Sequence, residues 1–148
     1  VDYHRAINKP IHYNSKLYEG YMAGGTNALL DGYRGGLTYL DGRWQGYLDD
    51  LDCVIDMEEE TDIHKVSIRF MQLIGPGVFQ PGQVELLTSE DGENFISRGI
   101  VPTTVPADDP DLLFQEYTFD GNWKTRYIRL KAPRANPGFI FADEIVVW

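Results

Sequence analysis

Apolar and polar residues alternate along this chain in short runs, and helical spacing is nearly absent. Over 50–56 the odd positions Leu51, Cys53 and Ile55 are apolar. Over 63–73, Val66, Ile68 and Phe70 recur at period two before Met71 and Leu73. Residues 84–89 form a further run and lead into Asp91-Gly92-Glu93-Asn94-Phe95, a turn with glycine where a positive φ is cheap. Residues 113–119 alternate through Leu113, Tyr117 and Phe119. Residues 123–130 set Tyr127 and Arg129 on one face and Ile128 and Leu130 on the other, and 139–148 close the chain. A period of two is the mark of a strand with one buried face. With 15 Gly and 8 Pro spread between the runs, the pattern predicts an all-β sandwich or barrel.

The stretches between these runs carry turn chemistry. Residues 1–25 read as an irregular entry segment, broken by Pro10, Gly20, Gly24 and Gly25. Residues 26–49 are dense in glycine and aromatics and read as a structured loop region. Residues 102–111, with three prolines and three aspartates, read as a loop. There is no internal repeat, low-complexity tract or linker, so a single domain over 1–148 is expected, and the abrupt opening Val1-Asp2-Tyr3 is that of an excised domain.

Length and charge then remove whole classes. A chain of 148 residues is too short for a (β/α)8 barrel of about 250, which excludes a self-contained barrel glycosidase. Its 43% hydrophobic and 13% aromatic content is enough for a core without disulfides. The formal net charge is −10 and no Lys/Arg cluster occurs, so nucleic acid and anionic membrane surfaces are not expected partners. Neutral ligands or cations fit better. No apolar stretch is long enough for membrane insertion. Cys53, within an alternating run, is expected to be a small buried hydrophobe. His4, His12 and His64 are scattered and read as surface or hydrogen-bonded residues. No phosphate loop, Ser-His-Asp set or zinc pattern is present.

Four segments carry a resemblance. Asn27-Ala28-Leu29-Leu30-Asp31-Gly32 fits A-x-x-D-G, and 89–95 fits S-x-D-G-x-x-F/W. Arg126-Tyr127-Ile128-Arg129 fits R-Y-I/V-R, and Ala142-Asp143-Glu144-Ile145 fits A-x-E-I. In this order they resemble the discoidin fold, the coagulation factor five/eight type C domain, and within it the family 32 carbohydrate-binding modules. More narrowly, Leu30-Asp31-Gly32-Tyr33-Arg34-Gly35 and Asp41-Gly42-Arg43-Trp44-Gln45-Gly46-Tyr47 resemble the C-terminal module of Bacteroides-type β-N-acetylhexosaminidases, the chitobiase-like enzymes of glycoside hydrolase family 20. The resemblance implies a jelly-roll β-sandwich of the galactose-binding-domain-like type with about eight strands. It implies a non-catalytic accessory module of an exported enzyme, periplasmic, outer-surface or secreted. Its partners would be glycans and the parent's catalytic domain. The barrel bearing that family's catalytic Asp-Glu pair is not in this chain.

The resemblance also implies a structural Ca²⁺, held by the Asp31 and Glu144 side chains and by carbonyls of Ala28, Gly36 and Asp143. Tyr33 stands where the family often has a second Asp or Asn. The alternative is a local turn at Asp31 and a solvated Glu144. Asp143 and Glu144 are not expected to form a glycosidase pair, because neighbours on a regular strand point to opposite faces.

Sugar binding needs an aromatic platform beside planar polar side chains. Three loops offer these: 39–47 with Arg43 and Gln45, 74–81 with Phe79 and Gln80, and 133–139 with Arg134, Asn136 and Phe139. Phe79 stands between solvent presentation and folding back on the sandwich. Trp44 reads as core before platform, and Trp123 and Trp148 as packing residues. The resembled galactose-binding modules use His and Arg where this chain has Gln45 and no Arg over 74–81. That departure favours a second reading, a structural module packing on its parent without binding sugar. A third reading is adhesion through Val78-Phe79.

Overall fold

The computed structural model describes residues 3–16 and 19–148; the parts of the entry segment at Val1-Asp2 and Leu17-Tyr18 lie outside the described residues. The strands are β1 (Ile11–Tyr13), β2 (Gln45–Tyr47), β3 (Leu51–Gln72), β4 (Gln83–Ser89), β5 (Ile96–Pro102), β6 (Leu113–Ala132) and β7 (Ile140–Val147). Two single turns of 3-10 helix, Glu19–Tyr21 and Ala28–Leu30, are the only helical pieces among the described residues. All pairings between strands are antiparallel, in the order β2-β7-β3-β6-β4-β5, with β1 also on β3.

Two long strands turn this order into a sandwich. The first part of β3 pairs with the last part of β6, Cys53 opposite Leu130 and Ile55 opposite Ile128. The last part of β3 pairs with the first part of β6, Ile68 opposite Tyr117 and Phe70 opposite Gln115. Between them the register shifts after Asp56. There Glu58 takes a φ of 71°, with its N–H donated to Asp56 Oδ1 at 2.7 Å. β4 and β5 extend one half of the sandwich, and β7 and β2 the other. Leu51, Cys53, Ile55, Leu86, Ile128 and Leu130 from the first half meet Ile68, Phe70, Tyr117, Ile140, Ala142 and Ile145 from the second in one buried core.

The expected all-β class and β-sandwich hold, with several corrections. Among the described residues seven strands form where about eight were expected, because the runs 50–56 and 63–73 are one strand and 113–119 and 123–130 another. The entry segment contains β1, and the 26–49 region contains β2. Trp148 is 45% exposed and lies outside both core clusters, whereas Trp123 packs against the core. Trp44 is buried, as is Cys53, whose thiol is pushed up to about 12 by burial.

β7 is buried along its whole length, which requires cover on both faces. Its inner face, through Ala142, joins the main core. On its outer face Phe141 joins Trp44, Met71 and Val78 in a second cluster, flanked by Tyr21, Tyr39, Phe114 and Phe139. This outer cluster brings the loops of interest together.

Candidate ligand-binding site

The aromatic cluster combines edge-to-face, tilted and stacked contacts. The Tyr21 ring meets Tyr39 at 5.9 Å, Phe139 at 5.3 Å and Phe141 at 5.1 Å, and Trp44 stacks on Phe114 at 5.7 Å. Such pairs contribute about 0.5–1.5 kcal/mol each beyond the area they bury. Gly46 is required here, because a Cβ at that position would lie 2.7 Å from Phe141 Cε1. Over the cluster lies an open cavity of about 410 Å³ between residues 20–23 and 39–44, with Tyr21, Tyr39, Leu40 and Trp44 in its lining.

The cavity wall is fixed from below. Asp41 accepts hydrogen bonds from the backbone N–H of Gly36 at 2.6 Å and of Arg43 at 2.9 Å, closing the 36–43 loop. Trp44 Nε1 donates to the Gly36 carbonyl at 3.2 Å. Arg69 lies against the rings of Trp44 and Phe114, 5.2 and 5.0 Å from their centroids, and donates to Asp143 Oδ2 and to the Gly35 carbonyl. Arg43 is exposed and lies 4.3 Å over the Tyr33 ring.

Gln45 is a correction. It is fully buried, and all four of its hydrogen-bonding positions are used. Its Oε1 accepts from the Tyr13 hydroxyl at 3.0 Å and from the Tyr47 hydroxyl. Its Nε2 donates to the carbonyls of Met22 at 3.3 Å and Gly25 at 3.0 Å. Gln45 pairs with Ala142 and so faces the interior, where it anchors the 22–25 segment that walls the cavity. A sugar hydroxyl finds no capacity left on it. Gln80 is a second correction: it is buried, donating to the Phe70 carbonyl at 3.0 Å and accepting from the Tyr117 hydroxyl at 2.9 Å.

The loops 74–81 and 133–139 do meet. Phe79 N–H donates to the Phe139 carbonyl at 2.9 Å, and Phe139 N–H to the Gly77 carbonyl at 2.8 Å. Phe79 is half-buried beside Gly138, where a Cβ would lie 3.2 Å from its ring, so the loop folds back and does not present Phe79. Phe139 is also half-buried, in the aromatic cluster. Arg134 is exposed; its backbone N–H donates to Asp50 Oδ1 at 2.7 Å, and its Nη1 reaches the Gly138 carbonyl at 3.3 Å. Asn136 lines a separate, smaller cleft. Phe79, Gln45 and Arg134 therefore do not converge on one pocket. Tyr21, placed in the irregular entry segment by the sequence reading, is the binding candidate that reading missed; the signal available was an aromatic immediately after Gly20.

The expected metal residues are only partly brought together. Ala28 is buried in its 3-10 turn. The register between β7 and β3 shifts between Ile145 and Ala142, so Asp143 and Glu144 together oppose Arg69. This bulge breaks the strict alternation assumed from sequence, and both carboxylates reach the 31–36 loop. Asp143 accepts the Gly35 N–H at 3.0 Å and pairs with Arg69, although burial still raises its carboxyl above the usual range. Glu144 is not solvated. Its Oε2 accepts from the Gly32 N–H at 2.8 Å and meets His4 Nε2 at 2.7 Å, while its Oε1 is buried without a partner. Burial first, then the neighbouring Asp31 and Asp143 charges, push Glu144 up to about 9.

A Ca²⁺ ion takes 6–8 oxygen ligands. Glu144 interacts with Asp31 and keeps an orphaned buried oxygen, Oε1, of the hard type such a cation takes. The Asp143 side chain is committed to Arg69, and no group of three or more His, Cys, Asp or Glu poised for a metal occurs among the described residues. That leaves the Asp31 and Glu144 carboxylates for a cation, and the remaining oxygens would have to be carbonyls.

No family model matches the chain, and no curated protein matches it in sequence. Solved structures do match in fold. Chitosan-binding module 1 of a chitosanase/glucanase from Paenibacillus sp. IK-5 superposes with a TM-score of 0.67 at 12% identity, covering 99% of this chain and 98% of that one. A family 32 carbohydrate-binding module from Clostridium perfringens, in complex with GalNAc-β-1,3-galactose, gives 0.63 at 18% identity over 95% of each chain. A fucose-binding module of Streptococcus pneumoniae gives 0.65 at 16% identity, covering 99% of this chain and 95% of that one. At these identities the likeness establishes the fold.

Proposed function

We propose that this chain is a non-catalytic carbohydrate-binding module, and that it holds a neutral sugar in the open cavity between residues 20–23 and 39–44. The observation that carries this reading is the Tyr21–Tyr39 pair, two half-buried rings held at 5.9 Å in a braced cluster at the cavity wall. A pyranose offers an apolar C–H face to such rings, and its hydroxyls can bond the surrounding loop carbonyls. The neighbours in fold that are themselves sugar-binding modules support the reading. So does the net charge of −10, which disfavours anionic ligands. A single-sugar site of this size corresponds to a Kd on the order of 0.1–1 mM.

The motifs at 30–35 and 41–47 support a finer reading: the module is appended to an exported β-N-acetylhexosaminidase of the chitobiase type. There it would raise the local concentration of substrate by tethering. A structural Ca²⁺ between Asp31 and Glu144 belongs to the same proposal. It would join the 31–36 loop to β7 and neutralise the acid pair.

A second reading has its own observation. Leu37 and Leu40 are 76% and 67% exposed, and Tyr33 is exposed on the same loop. Such a patch suits packing against a catalytic neighbour. Isothermal titration with chitin- and galactose-type oligosaccharides separates the two. Binding that Tyr39→Ala weakens at least about tenfold, the loss of roughly 1.4 kcal/mol, supports the sugar site. No binding at millimolar concentration, with loss of parent stability when the module is deleted, supports packing.

A further inference from the structure

The wall of the aromatic cavity and the start of the chain hang from the same acid. No residue over 33–43 is buried, so this wall has no apolar grip of its own and is held through its backbone. Gly32 N–H donates to Glu144 Oε2 at 2.8 Å, and Gly35 N–H to Asp143 Oδ2 at 3.0 Å. The next residue passes the hold to the cavity: Gly36 accepts from Trp44 Nε1 through its carbonyl and donates its N–H to Asp41.

Residues 3–10 are held in the same way, with only His4 and Ala6 buried among them. The His4 ring is fixed at both nitrogens: Nδ1 accepts the Ala6 N–H at 3.1 Å, and Nε2 meets Glu144 Oε2 at 2.7 Å, the oxygen that Gly32 also uses. Asn8 N–H adds a bond to the Leu30 carbonyl at 2.8 Å, two residues before Gly32. Segments with few buried apolar contacts open below the free energy of global unfolding. Here two of them share one buried acceptor. Departure of either leaves the Glu144 carboxyl a partner short while it is still buried, and that cost falls away once the other leaves too and water reaches the acid.

We infer that residues 4–8 are a latch on the cavity wall, opening together with residues 32–36 as one unit. Displacing the start of the chain then loosens the loop that carries Tyr39. A ligand that binds only the closed wall tightens the start of the chain by the same factor, because coupling between two sites is reciprocal. The latch itself needs no ligand; only its effect on one rests on the carbohydrate reading above.

Amide hydrogen exchange of the whole chain in low urea, read by NMR, tests the latch. The amides of Arg5 and Ala6, bonded to Val147 and His4, and those of Gly32 and Gly35 should share one opening free energy and one urea slope, below those of the β3–β6 core. His4→Ala should speed exchange at Gly32 and Gly35 about tenfold, the weight of one buried hydrogen bond. Glu93 and Asn94, whose amides bond Asp91 in the β4–β5 turn, should be unchanged. His4→Gln, whose amide nitrogen can reach Glu144, should restore most of the protection. With di-N-acetylchitobiose or lactose at about ten times its Kd, exchange should slow about tenfold at Ala6 as well as at Gly36. Different opening free energies for the two segments in the parent chain would overturn the latch, even where His4→Ala fails to fold. So would acceleration in His4→Ala that spares Gly32 and Gly35 or reaches Glu93 and Asn94 equally. A sugar that slows Gly36 and not Ala6 sinks the latch and keeps the carbohydrate reading. If neither sugar binds, that reading fails, and the exchange measurements without ligand still decide the latch.

Discussion

His4 Nε2 and Glu144 Oε2 meet at 2.7 Å across 140 residues of sequence, and both side chains are fully buried. The Ala6 N–H donates to His4 Nδ1 at 3.1 Å, so in the neutral ring the proton sits on Nε2 and points at the carboxylate. With Arg5 N–H on the Val147 carbonyl at 2.8 Å and Asn8 N–H on the Leu30 carbonyl at 2.8 Å, this contact fastens the start of the chain to its last strand. His4→Ala removes the bond and leaves the buried Glu144 carboxyl one hydrogen-bond partner short. The expected cost is roughly 1–3 kcal/mol, read as a lower urea midpoint with an unchanged m-value. Equal midpoints for the two proteins would show that the contact does not hold the segment.

Glu144 gives the metal-free protein a pH-dependent stability with a defined sign. Its carboxyl stands near 4.5 when unfolded and is pushed up to about 9 in the fold, mainly by burial. Between these values the folded state keeps a proton that the unfolded state has lost. This contribution is full below about pH 4.5 and is lost progressively as the pH rises through about 9. Glu144→Gln keeps a carbonyl for His4 and Gly32 and cannot ionise. In chelator its unfolding free energy should fall less steeply over this window than that of the parent. Parallel slopes for the two proteins would remove Glu144 as the cause.

A cation offers the other resolution of the same acid pair. If Ca²⁺ is held by Asp31 and Glu144, it stabilises the fold by about 2.7 kcal/mol at a hundredfold excess over its Kd, a shift of several degrees in Tm for a chain of this size. Chelation of protein purified in calcium should lower Tm, and Asp31→Ala should lower it and abolish the chelator effect. A melting curve unmoved by excess chelator eliminates the ion. Glu144→Gln then distinguishes the two regimes: it stabilises metal-free protein at neutral pH and destabilises calcium-loaded protein.

Gln45→Ala should destabilise by roughly 2–5 kcal/mol, because it strands the Tyr13 and Tyr47 hydroxyls and the carbonyls of Met22 and Gly25. Thermal unfolding measures this directly. Where the variant remains folded, faster amide exchange should appear first in residues 22–25. A stability unchanged within about 0.5 kcal/mol, the range of ordinary surface substitutions, would mean that the four bonds carry no weight.

The parts legible in the sequence were those with enough repeats of a period. Val66, Ile68 and Phe70 alternate long enough to declare β3, as do Ile128 and Leu130 for β6. β1 and β2 are three residues long, too short for alternation to register. β5 is exposed at nearly every position, so it has no apolar face to read. The bulge at Asp143 and Glu144 depends on the strand opposite, and local sequence does not encode it. The same holds for Gln45 and Gln80: exposed or buried, a glutamine looks alike until Tyr13, Tyr47 and Tyr117 are in place around it. Trp44 was readable as core because its motif had a known setting, whereas nothing local marked His4 as the partner of Glu144.

The continuity of β3 and β6 through both halves of the sandwich has a consequence for how the molecule comes apart. Neither half can detach without breaking strands that the other half needs, so the two should melt in a single cooperative transition, with no state in which one survives alone. The pairs that define the fold, such as Cys53 with Leu130 and Ser67 with Val146, join residues remote in sequence. Loop closure must therefore precede most of the stabilising contacts, which places folding in the slow regime of milliseconds to seconds typical of all-β topologies.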